Sequence, residues 1–218
     1  MAELRQFART RAAGIRTQRN AVAALPRGYR RRLRHPPTHH GRLKNGAENM
    51  NHEARSQYLF DVHCIEQVIS HYVIGLDTLN IPLMRNCFTD DAHVEIPGAG
   101  VQSPDEYAAI CKQSLPGLDA THHQLGPIAV EVTGDTARAH CYLTAQHVLH
   151  SAGADCLLTI GAWYDDELVR TRESWKISKR VGTAVWLDGN PAVLGMPMEK
   201  GAFPKSPGRE CPAWLHRD

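Results

Sequence analysis

Apolar residues recur along residues 59–76 at the spacing of one helical face. Steps of three and one bring such positions to the same side of an α-helix, so they predict a long amphipathic helix. The apolar positions are Leu59, Val62, Ile65, Val68, Ile69, Tyr72, Val73 and Leu76. The segment Asn80-Ile81-Pro82 ends this helix, because proline removes a backbone donor and clashes with the preceding turn. Leu83 to Phe88 fits a short second helix.

The next segment combines a strand with a third helix. Ala92 to Ile96 is typical of a strand that ends at Pro97-Gly98. Ser103, followed by Pro104 at the first helical position and Glu106 three residues on, forms a capping-box pattern. We therefore expect a third helix over residues 104–114.

The pattern then changes to the alternation typical of strands. Four strands are predicted, over residues 128–132, 137–149, 157–169 and 175–186. Three helices followed by long antiparallel strands indicate an α+β fold. A curved sheet wrapped over a long helix encloses a cone, and the mouth of a cone is a natural pocket for a small ligand.

Charge separates the first 50 residues from the rest of the chain. Residues 1–49 hold 12 of the 25 Lys and Arg and only two acids, which gives +10, and the remaining residues carry 13 − 21 = −8. Residues 1–49 also have too little apolar surface to form a core, which predicts a disordered arm or a frayed helix. We consider three interpretations. Residues 1–49 could be a nucleic-acid-binding arm without stacking aromatics, a transit peptide without serine, or a segment without a role of its own, either untranslated with the true start at Met50 or a dispensable arm. We favour the third, so nucleic-acid binding is not expected.

Composition narrows the class of the remaining chain. No apolar run approaches the length of a membrane span, and no secretory signal pattern is present, so we expect no membrane association. The six cysteines contain no C-x-x-C pair, and we expect them to be reduced in a cytoplasmic protein. Residues 51–187 form the expected domain, and residues 188–218 form a Pro- and Gly-rich tail.

Asp77 is the first candidate for chemistry. A continued helix would place it on the apolar face, eight residues after Ile69, where a carboxylate is costly unless it is paired or functional. The structural alternative is that Asp77 caps the following turn together with Asn80. Tyr72 lies five positions earlier, about 140° around a straight helix, so both side chains can border one cavity without touching.

His122 and His123 form the second candidate, at the start of the first long strand. Histidine has the unperturbed pKa that suits proton transfer near neutral pH. Adjacent residues of a strand point to opposite faces, so only one of the two can face a cavity, and a purely structural histidine stays an alternative. The sequence has no H-E-x-x-H, G-x-S-x-G, P-loop or G-x-G-x-x-G motif, so we expect no metal site and no nucleotide site.

Four segments together resemble the SnoaL-like branch of the nuclear transport factor 2 (NTF2-like) superfamily. They follow one another in the family's order over residues 55–187, and they exclude both tails. The segments are Tyr72-Val73-Ile74-Gly75-Leu76-Asp77, Cys87-Phe88-Thr89-Asp90-Asp91-Ala92, Thr121-His122-His123 with Gly134-Asp135-Thr136-Ala137, and Ile160 to Glu167 with Trp175-Lys176-Ile177.

The resemblance implies an NTF2-like cone-shaped barrel, with three helices packed on a curved antiparallel sheet, assembled as a homodimer or homotrimer. By motif, the family's catalytic aspartate and histidine fall on Asp77 and His123, and a tyrosine found in its bile-acid dehydratase falls on Tyr72. The arginine that relatives carry on the last strand has its nearest candidate in Arg180, in a register that fits poorly. The residues expected to contact substrate are Trp163, Tyr164, Leu143 and His122.

These assignments imply a dehydratase-like lyase or isomerase that needs no metal or organic cofactor and acts on a small apolar or cyclic molecule. His123 would remove a proton, Asp77 would orient it, and Tyr72 would donate to the oxygen that gains charge. Fold alone does not decide function. A ligand-binding or accessory protein without chemistry, and the small subunit of a ring-hydroxylating dioxygenase, stay open as alternatives.

Overall fold

The computed structural model describes residues 51–98, 100–196 and 213–215. The basic arm, residues 1–50, and most of the C-terminal tail lie outside these residues. The helices of the described part are α1 (His52–Asp77), α2 (Ile81–Asn86) and α3 (Pro104–Ser114). No helix in this part of the chain is long and apolar enough to cross a membrane.

Each helix begins at a polar side chain that satisfies free backbone N–H groups. The Asn51 side chain accepts a hydrogen bond from the Ala54 N–H at 2.8 Å, and Asn80 does the same for α2. The Ser103 hydroxyl accepts from the backbone of Glu106, whose carboxylate accepts from the Ser103 N–H at 2.8 Å. The predicted capping box is thereby confirmed.

Within the described residues, six strands form one curved sheet that does not close on itself. They are β1 (Phe88–Ile96), β2 (Gly100–Gln102), β3 (Ala120–Thr133), β4 (Thr136–Val148), β5 (Leu157–Arg170) and β6 (Trp175–Gly189). The strand order is β2-β1-β6-β5-β4-β3. The β1–β6 pair is parallel, so the expectation of a wholly antiparallel sheet is wrong at this pair.

The helix α1 packs against the inner face of the sheet, the face on which the core lies. The periodic residues Ile65, Ile69, Tyr72 and Leu76 are buried there. They meet inward side chains of the strands in one apolar cluster. The inward residues of β4 alternate along the strand and are Ala137, Ala139, Cys141, Leu143, Ala145 and His147.

Strand β3 is much longer than the sequence predicts, and this changes the position of the two histidines. It begins at Ala120 rather than at residue 128, because residues 120–125 already pair with β4. Histidine can face either water or the core, so the alternation over these residues is weak in the sequence. His122 and His123 therefore lie within the strand, on opposite faces.

Other boundaries differ by a few residues. Phe88 begins β1 instead of ending α2, and the short β2 was not predicted, because three residues carry too little pattern. Strand β6 continues to Gly189, past the predicted end at Trp186, and Pro191–Leu194 forms one 3-10 turn. The described cysteines, Cys64, Cys87, Cys111, Cys141 and Cys156, are free.

Candidate active site

The carboxylate of Asp77, the last residue of α1, is directed at the start of β3. It accepts hydrogen bonds from the Thr121 hydroxyl at 2.9 Å and from the His123 backbone N–H at 2.7 Å. One of its oxygens also lies 2.6 Å from Nδ1 of the His123 ring. Three contacts from one strand fix the carboxylate and hold the imidazole in one orientation.

The expectation that Asp77 caps the next turn does not describe this geometry. Asn80 alone caps α2, through the backbone N–H of Leu83, while the Asp77 oxygens point toward β3. Leu79, with a φ of 56°, turns the chain between the two helices. Because this reversal follows Asp77 directly, the carboxylate is positioned at the end of the helix that faces the sheet.

The Asp77–His123 pair is shielded from solvent without being sealed. The His123 side chain is 8% exposed and the Asp77 side chain 19%. Burial alone would raise the pKa of Asp77, but the hydrogen bonds from the His123 ring and backbone and from Thr121 outweigh it, so the pKa is lowered. Asp77 is therefore a carboxylate at neutral pH.

A second imidazole, that of His147 on β4, lies beside the first. The two ring centroids are 5.7 Å apart and the rings meet edge to face, at 86°. His147 is paired with Thr121 across the β3–β4 ladder, and it is 6% exposed. Desolvation, followed by the neighbouring His123, lowers the pKa of His147 to about 4, so it is neutral at pH 7.

From the sequence alone, no role is expected for His147. A signal is nevertheless present in the sequence, because His147 alternates with Cys141, Leu143 and Ala145 along residues 137–149. A histidine among inward apolar residues at a sheet end is a candidate for a site whenever a second histidine lies on the neighbouring strand.

Tyr72 belongs to a separate group deeper along the inner face. Its hydroxyl lies 2.7 Å from the Tyr107 hydroxyl of α3, and its ring meets Tyr164 edge to face. Burial, followed by the nearby Tyr107, raises the pKa of Tyr72 well above its usual value, so the hydroxyl stays protonated. No direct contact joins it to Asp77 or His123 in the described part of the chain.

Arg180 on β6 completes this deeper group. Its guanidinium carbon lies 4.1 Å from the Tyr72 ring centroid and 4.2 Å from that of Tyr164, which places the cation between two aromatic faces. Its Nε donates to the Asp166 carboxylate at 2.7 Å, and neither side chain is exposed. Nη1 of Arg180 is buried without a hydrogen-bond partner among the described residues.

The strand register gives the separation of the two groups. His123 faces Ala145 across the β3–β4 ladder, and Tyr164 faces Cys141 across the β4–β5 ladder. Ala145 and Cys141 are four residues apart on β4, which corresponds to about 13 Å along a strand. The row between them contains Leu143 together with Ala162. Small and apolar side chains thus separate the imidazoles from the guanidinium.

The four residues expected to contact substrate divide between the two faces of the sheet. Leu143 and Tyr164 point inward with the core. His122 is exposed on the outer face, and Trp163 packs there against Tyr142, at 6.0 Å between ring centroids. The structure therefore does not bring His122 and Trp163 to Asp77 and His123. A shallow outer concavity of about 300 Å³ lies beside Trp163 instead.

The described residues do not contain a set of side chains arranged as metal ligands. No group of three His, Cys, Asp or Glu side chains there is arranged to hold an ion. The Asp77–His123–His147 arrangement offers a carboxylate already engaged in three hydrogen bonds. Its geometry suits proton transfer by an oriented imidazole.

The family model for the SnoaL-like domain matches residues 57–181, which is more than half of the chain. This range begins in α1, ends in β6 and contains both polar groups of the inner face. The chain belongs to the SnoaL-like family. Arg180, whose register fits the family's arginine poorly in the sequence, lies at the end of the matched range. Its side chain is buried on the inner face of this SnoaL-like domain.

Known proteins similar to this SnoaL-like domain include a fungal one. The terrestric acid biosynthesis cluster protein E of Penicillium crustosum is 28% identical over 144 residues, which cover 63% of this chain and 91% of that protein.

Solved structures share the fold of this SnoaL-like domain. A type 2 hexachlorocyclohexane dehydrochlorinase superposes with a TM-score of 0.57 at 22% identity, covering 66% of this chain and 97% of the other. A scytalone dehydratase-like protein from Novosphingobium aromaticivorans gives 0.57 at 19% identity, covering 62% and 91%. These likenesses establish the NTF2-like fold of the SnoaL-like domain.

Proposed function

We propose that this SnoaL-like domain is a cofactor-independent lyase or isomerase that removes a proton from a carbon next to a carbonyl group. The observation that carries the proposal is the 2.6 Å contact between Nδ1 of His123 and the Asp77 carboxylate. It commits Nδ1 to the carboxylate and leaves Nε2 as the base. The fold neighbours include a dehydrochlorinase and a dehydratase-like protein, which supports an elimination.

In the proposed reaction, Nε2 of His123 accepts the proton, and the electrons of the broken C–H bond form an enolate. Asp77 stabilises the imidazolium that results. The electron pair then forms a carbon–carbon double bond as hydroxide leaves from the neighbouring carbon, and the proton held by His123 neutralises it to water. In an isomerase, the same proton returns to a different carbon.

The oxygen that gains charge requires hydrogen-bond donors. Tyr72 is the proposed donor, and its raised pKa suits a hydrogen bond that is kept rather than a proton that is given away. Nη1 of Arg180 is a second buried donor in the same group. Donors fixed before the reaction stabilise an oxyanion more than flexible ones, because they need no rearrangement.

The substrate proposed is a small, largely apolar or cyclic molecule with a hydroxyl group β to a ketone. Inward apolar residues such as Leu143 and Ala162 favour such a molecule between the two polar groups. The Penicillium relative, named for a biosynthesis cluster, supports a small organic substrate. Family members bind small hydrophobic ligands.

The test uses 3-hydroxy-1-tetralone, whose dehydration gives 1-naphthol and can be followed by fluorescence. Exchange of its α protons in D₂O, followed by NMR, detects proton removal even where elimination is slow. We expect His123→Gln to abolish both signals and His122→Gln, on the opposite face, to leave them unchanged. Activity retained in His123→Gln contradicts the proposal. Tight binding of small ketones without exchange favours the ligand-binding alternative.

We also propose a homodimer or homotrimer in the cytoplasm, assembled through the outer face of the sheet. Tyr142 and Trp186 are 52% and 45% exposed there, and the Trp186 ring lies directly over Gly161, where any Cβ would collide with it. Exposed aromatic patches are typical of association surfaces. Light scattering should give a multiple of the chain mass, and Trp186→Ser should reduce it; a monomeric wild type contradicts the proposal.

A further inference from the structure

Asp166 on β5 forms an ion pair that solvent does not reach. Both of its carboxylate oxygens accept hydrogen bonds from Arg180, one from Nε at 2.7 Å and the other from Nη2 at 2.5 Å. Neither side chain is exposed. Burial raises the pKa of Asp166, and the charge of Arg180 opposes that rise. The forked contact, in which both oxygens accept, is that of an ionised carboxylate and a guanidinium.

The surroundings of Arg180 leave one of its nitrogens without a partner. Asp166 engages Nε and Nη2, and the rings of Tyr72 and Tyr164 pack against the guanidinium, with centroids 4.1 and 4.2 Å from its carbon. Nη1 is buried and has no hydrogen-bond partner among the described residues. Buried polar atoms without partners are rare, and each needs an explanation. A ligand oxygen on the inner face supplies one.

The charge of Arg180 is balanced before any ligand binds. An unpaired buried guanidinium would attract a carboxylate and bind it through two parallel hydrogen bonds. Asp166 supplies that carboxylate from within the fold. A second carboxylate would therefore leave water for a pair without net charge, close to the Asp166 oxygens. A neutral carbonyl oxygen accepts a hydrogen bond from Nη1 and brings no charge into the interior.

We propose that Asp166 is a specificity-determining residue that makes the site select uncharged carbonyl compounds over carboxylates. It does so by positioning Arg180 and cancelling its charge, and it does not itself touch the ligand. This inference deepens the proposed function, on which its link to catalysis rests. The substrate class narrows to neutral ketones that carry no carboxylate beside the carbonyl group.

The experiment compares two probes of similar size and shape, 1-naphthamide and 1-naphthoate, of which only the second is charged at pH 7. In calorimetric titrations of the full chain without chloride, we expect the amide to bind roughly tenfold more tightly, because a second buried anion has no free cation to meet. In Asp166→Asn, Arg180 has no counter-charge, so the order should reverse by roughly the same factor. Equal binding of the two probes to wild type, or binding of neither, overturns the proposal.

Three further variants separate ligand selection from damage to the fold. Asp166→Glu keeps the charge and should keep the preference for the amide. The double variant Asp166→Asn, Arg180→Gln removes both charges and should also prefer the amide. Asp165→Asn changes the neighbouring carboxylate, which faces outward and bonds His140, and should bind both probes as wild type does. A purely structural Asp166 would weaken both probes alike, so an amide preference retained in folded Asp166→Asn overturns the proposal.

Nitrogen-15 NMR of the wild type gives a second readout that needs no variant. Binding of 1-naphthamide should move the Nη1 signal of Arg180 and leave the Nε signal, held by Asp166, in place; an unchanged Nη1 signal overturns the proposal. The inactive His123→Gln variant should keep the amide preference. A preference that reverses in Asp166→Asn without any turnover in wild type therefore defeats only the proposed function, and turnover with equal binding of the probes defeats only this inference.

Discussion

Two carboxylates on the same helix, those of Asp61 and Asp77, have neighbours of different chemistry. Asp61 lies in the first half of α1, and Asp77 is its last residue. Both accept several hydrogen bonds, and both have a lowered pKa. They differ in the partner, because Asp61 meets a permanent cation and Asp77 meets an imidazole that can gain and lose a proton.

Asp61 is held in a closed structural contact. Arg170 donates to both of its oxygens, at 2.6 and 2.8 Å, and the Trp175 indole N–H donates at 3.1 Å. Arg170 also bonds Asp135 at 2.9 Å, so one guanidinium links α1 to the β3–β4 and β5–β6 turns. The residue is 3% exposed, and its charge never changes at neutral pH. Such a contact stabilises the fold and offers nothing to a substrate.

Asp77 also accepts several hydrogen bonds, but its side-chain partner is an imidazole rather than a permanent cation. The carboxylate engages Nδ1 of His123 and leaves Nε2 outside this contact. Under the proposed function, burial and hydrogen-bond number do not separate the structural carboxylate from the catalytic one, whereas the chemistry of the partner does. That difference divides the expected effects of substitution between stability and turnover.

The largest expected effect is on turnover in Asp77→Asn. An asparagine still accepts one hydrogen bond but no longer stabilises the imidazolium, so kcat of the proposed reaction should fall by about 10³-fold. The measurement is 1-naphthol formation from 3-hydroxy-1-tetralone, with far-UV circular dichroism as the check on folding. Asp61→Asn is the matched control, with kcat expected within about threefold of wild type. Equal losses in both variants would remove the distinction.

For stability, the order of the two variants should be reversed, with the larger loss in Asp61→Asn. Asp61→Asn leaves Arg170 without its buried partner, so unfolding free energy should fall by about 2–3 kcal/mol, below the full cost of a wholly buried pair because Arg170 is partly exposed. Urea titrations at pH 7 measure it, with Asp77→Asn expected to lose less than about 1 kcal/mol. A larger loss for Asp77→Asn would mean that its role is structural.

The sequence predicts the secondary structure on which this comparison rests, but only part of the side-chain contacts. Periodicity locates α1 and the three long strands to within a few residues, because their apolar faces must be buried in one core. The motif resemblance selects Asp77 and His123 by number. Asp61 does not stand out, because a lone aspartate at a helical position looks like a solvated residue until Arg170, 109 positions later, is folded against it.

For the strands that follow α1, it is harder to predict from the sequence which side chains point inward and which point outward. A shift of one residue in register exchanges the faces of a strand. The sequence therefore predicts substrate contact for both Trp163 and Tyr164, although the two side chains point to opposite faces. The Tyr72–Tyr107 contact joins α1 to α3 across 35 residues, and neither helix contains a signal for it. Long-range partners of polar side chains are set by tertiary packing, which a single sequence does not encode locally.

A smaller effect is expected for Tyr72, which lies between Asp61 and Asp77 in the sequence of α1. Tyr72→Phe leaves the buried Tyr107 hydroxyl without its partner, so unfolding free energy should fall by about 1–2 kcal/mol. Loss of the proposed donor should lower kcat by roughly tenfold. Tyr107→Phe breaks the same hydrogen bond from the other side. A kcat loss confined to Tyr72→Phe identifies that hydroxyl as the donor, and equal losses assign it to packing.

The smallest expected effect is on the unfolding free energy at acidic pH, where the two carboxylates should act alike. The pKa of Asp61 is lowered by the hydrogen bond from Arg170, and that of Asp77 by those from His123 and Thr121. A carboxyl group with a lowered folded-state pKa stabilises the protein above its unfolded pKa, and it loses that contribution as pH falls through the folded value, here below about pH 4.

Substitution of either residue should therefore matter less as the solution becomes more acidic. The gap in unfolding free energy between wild type and Asp61→Asn should narrow from pH 6 to pH 3, and that for Asp77→Asn should narrow by a smaller amount, about 1 kcal/mol or less. Urea titrations at each pH measure both gaps. A gap that is independent of pH would mean that the lost stability comes from packing of the Asp61 side chain, and the two carboxylates would then differ in more than the chemistry of their partners.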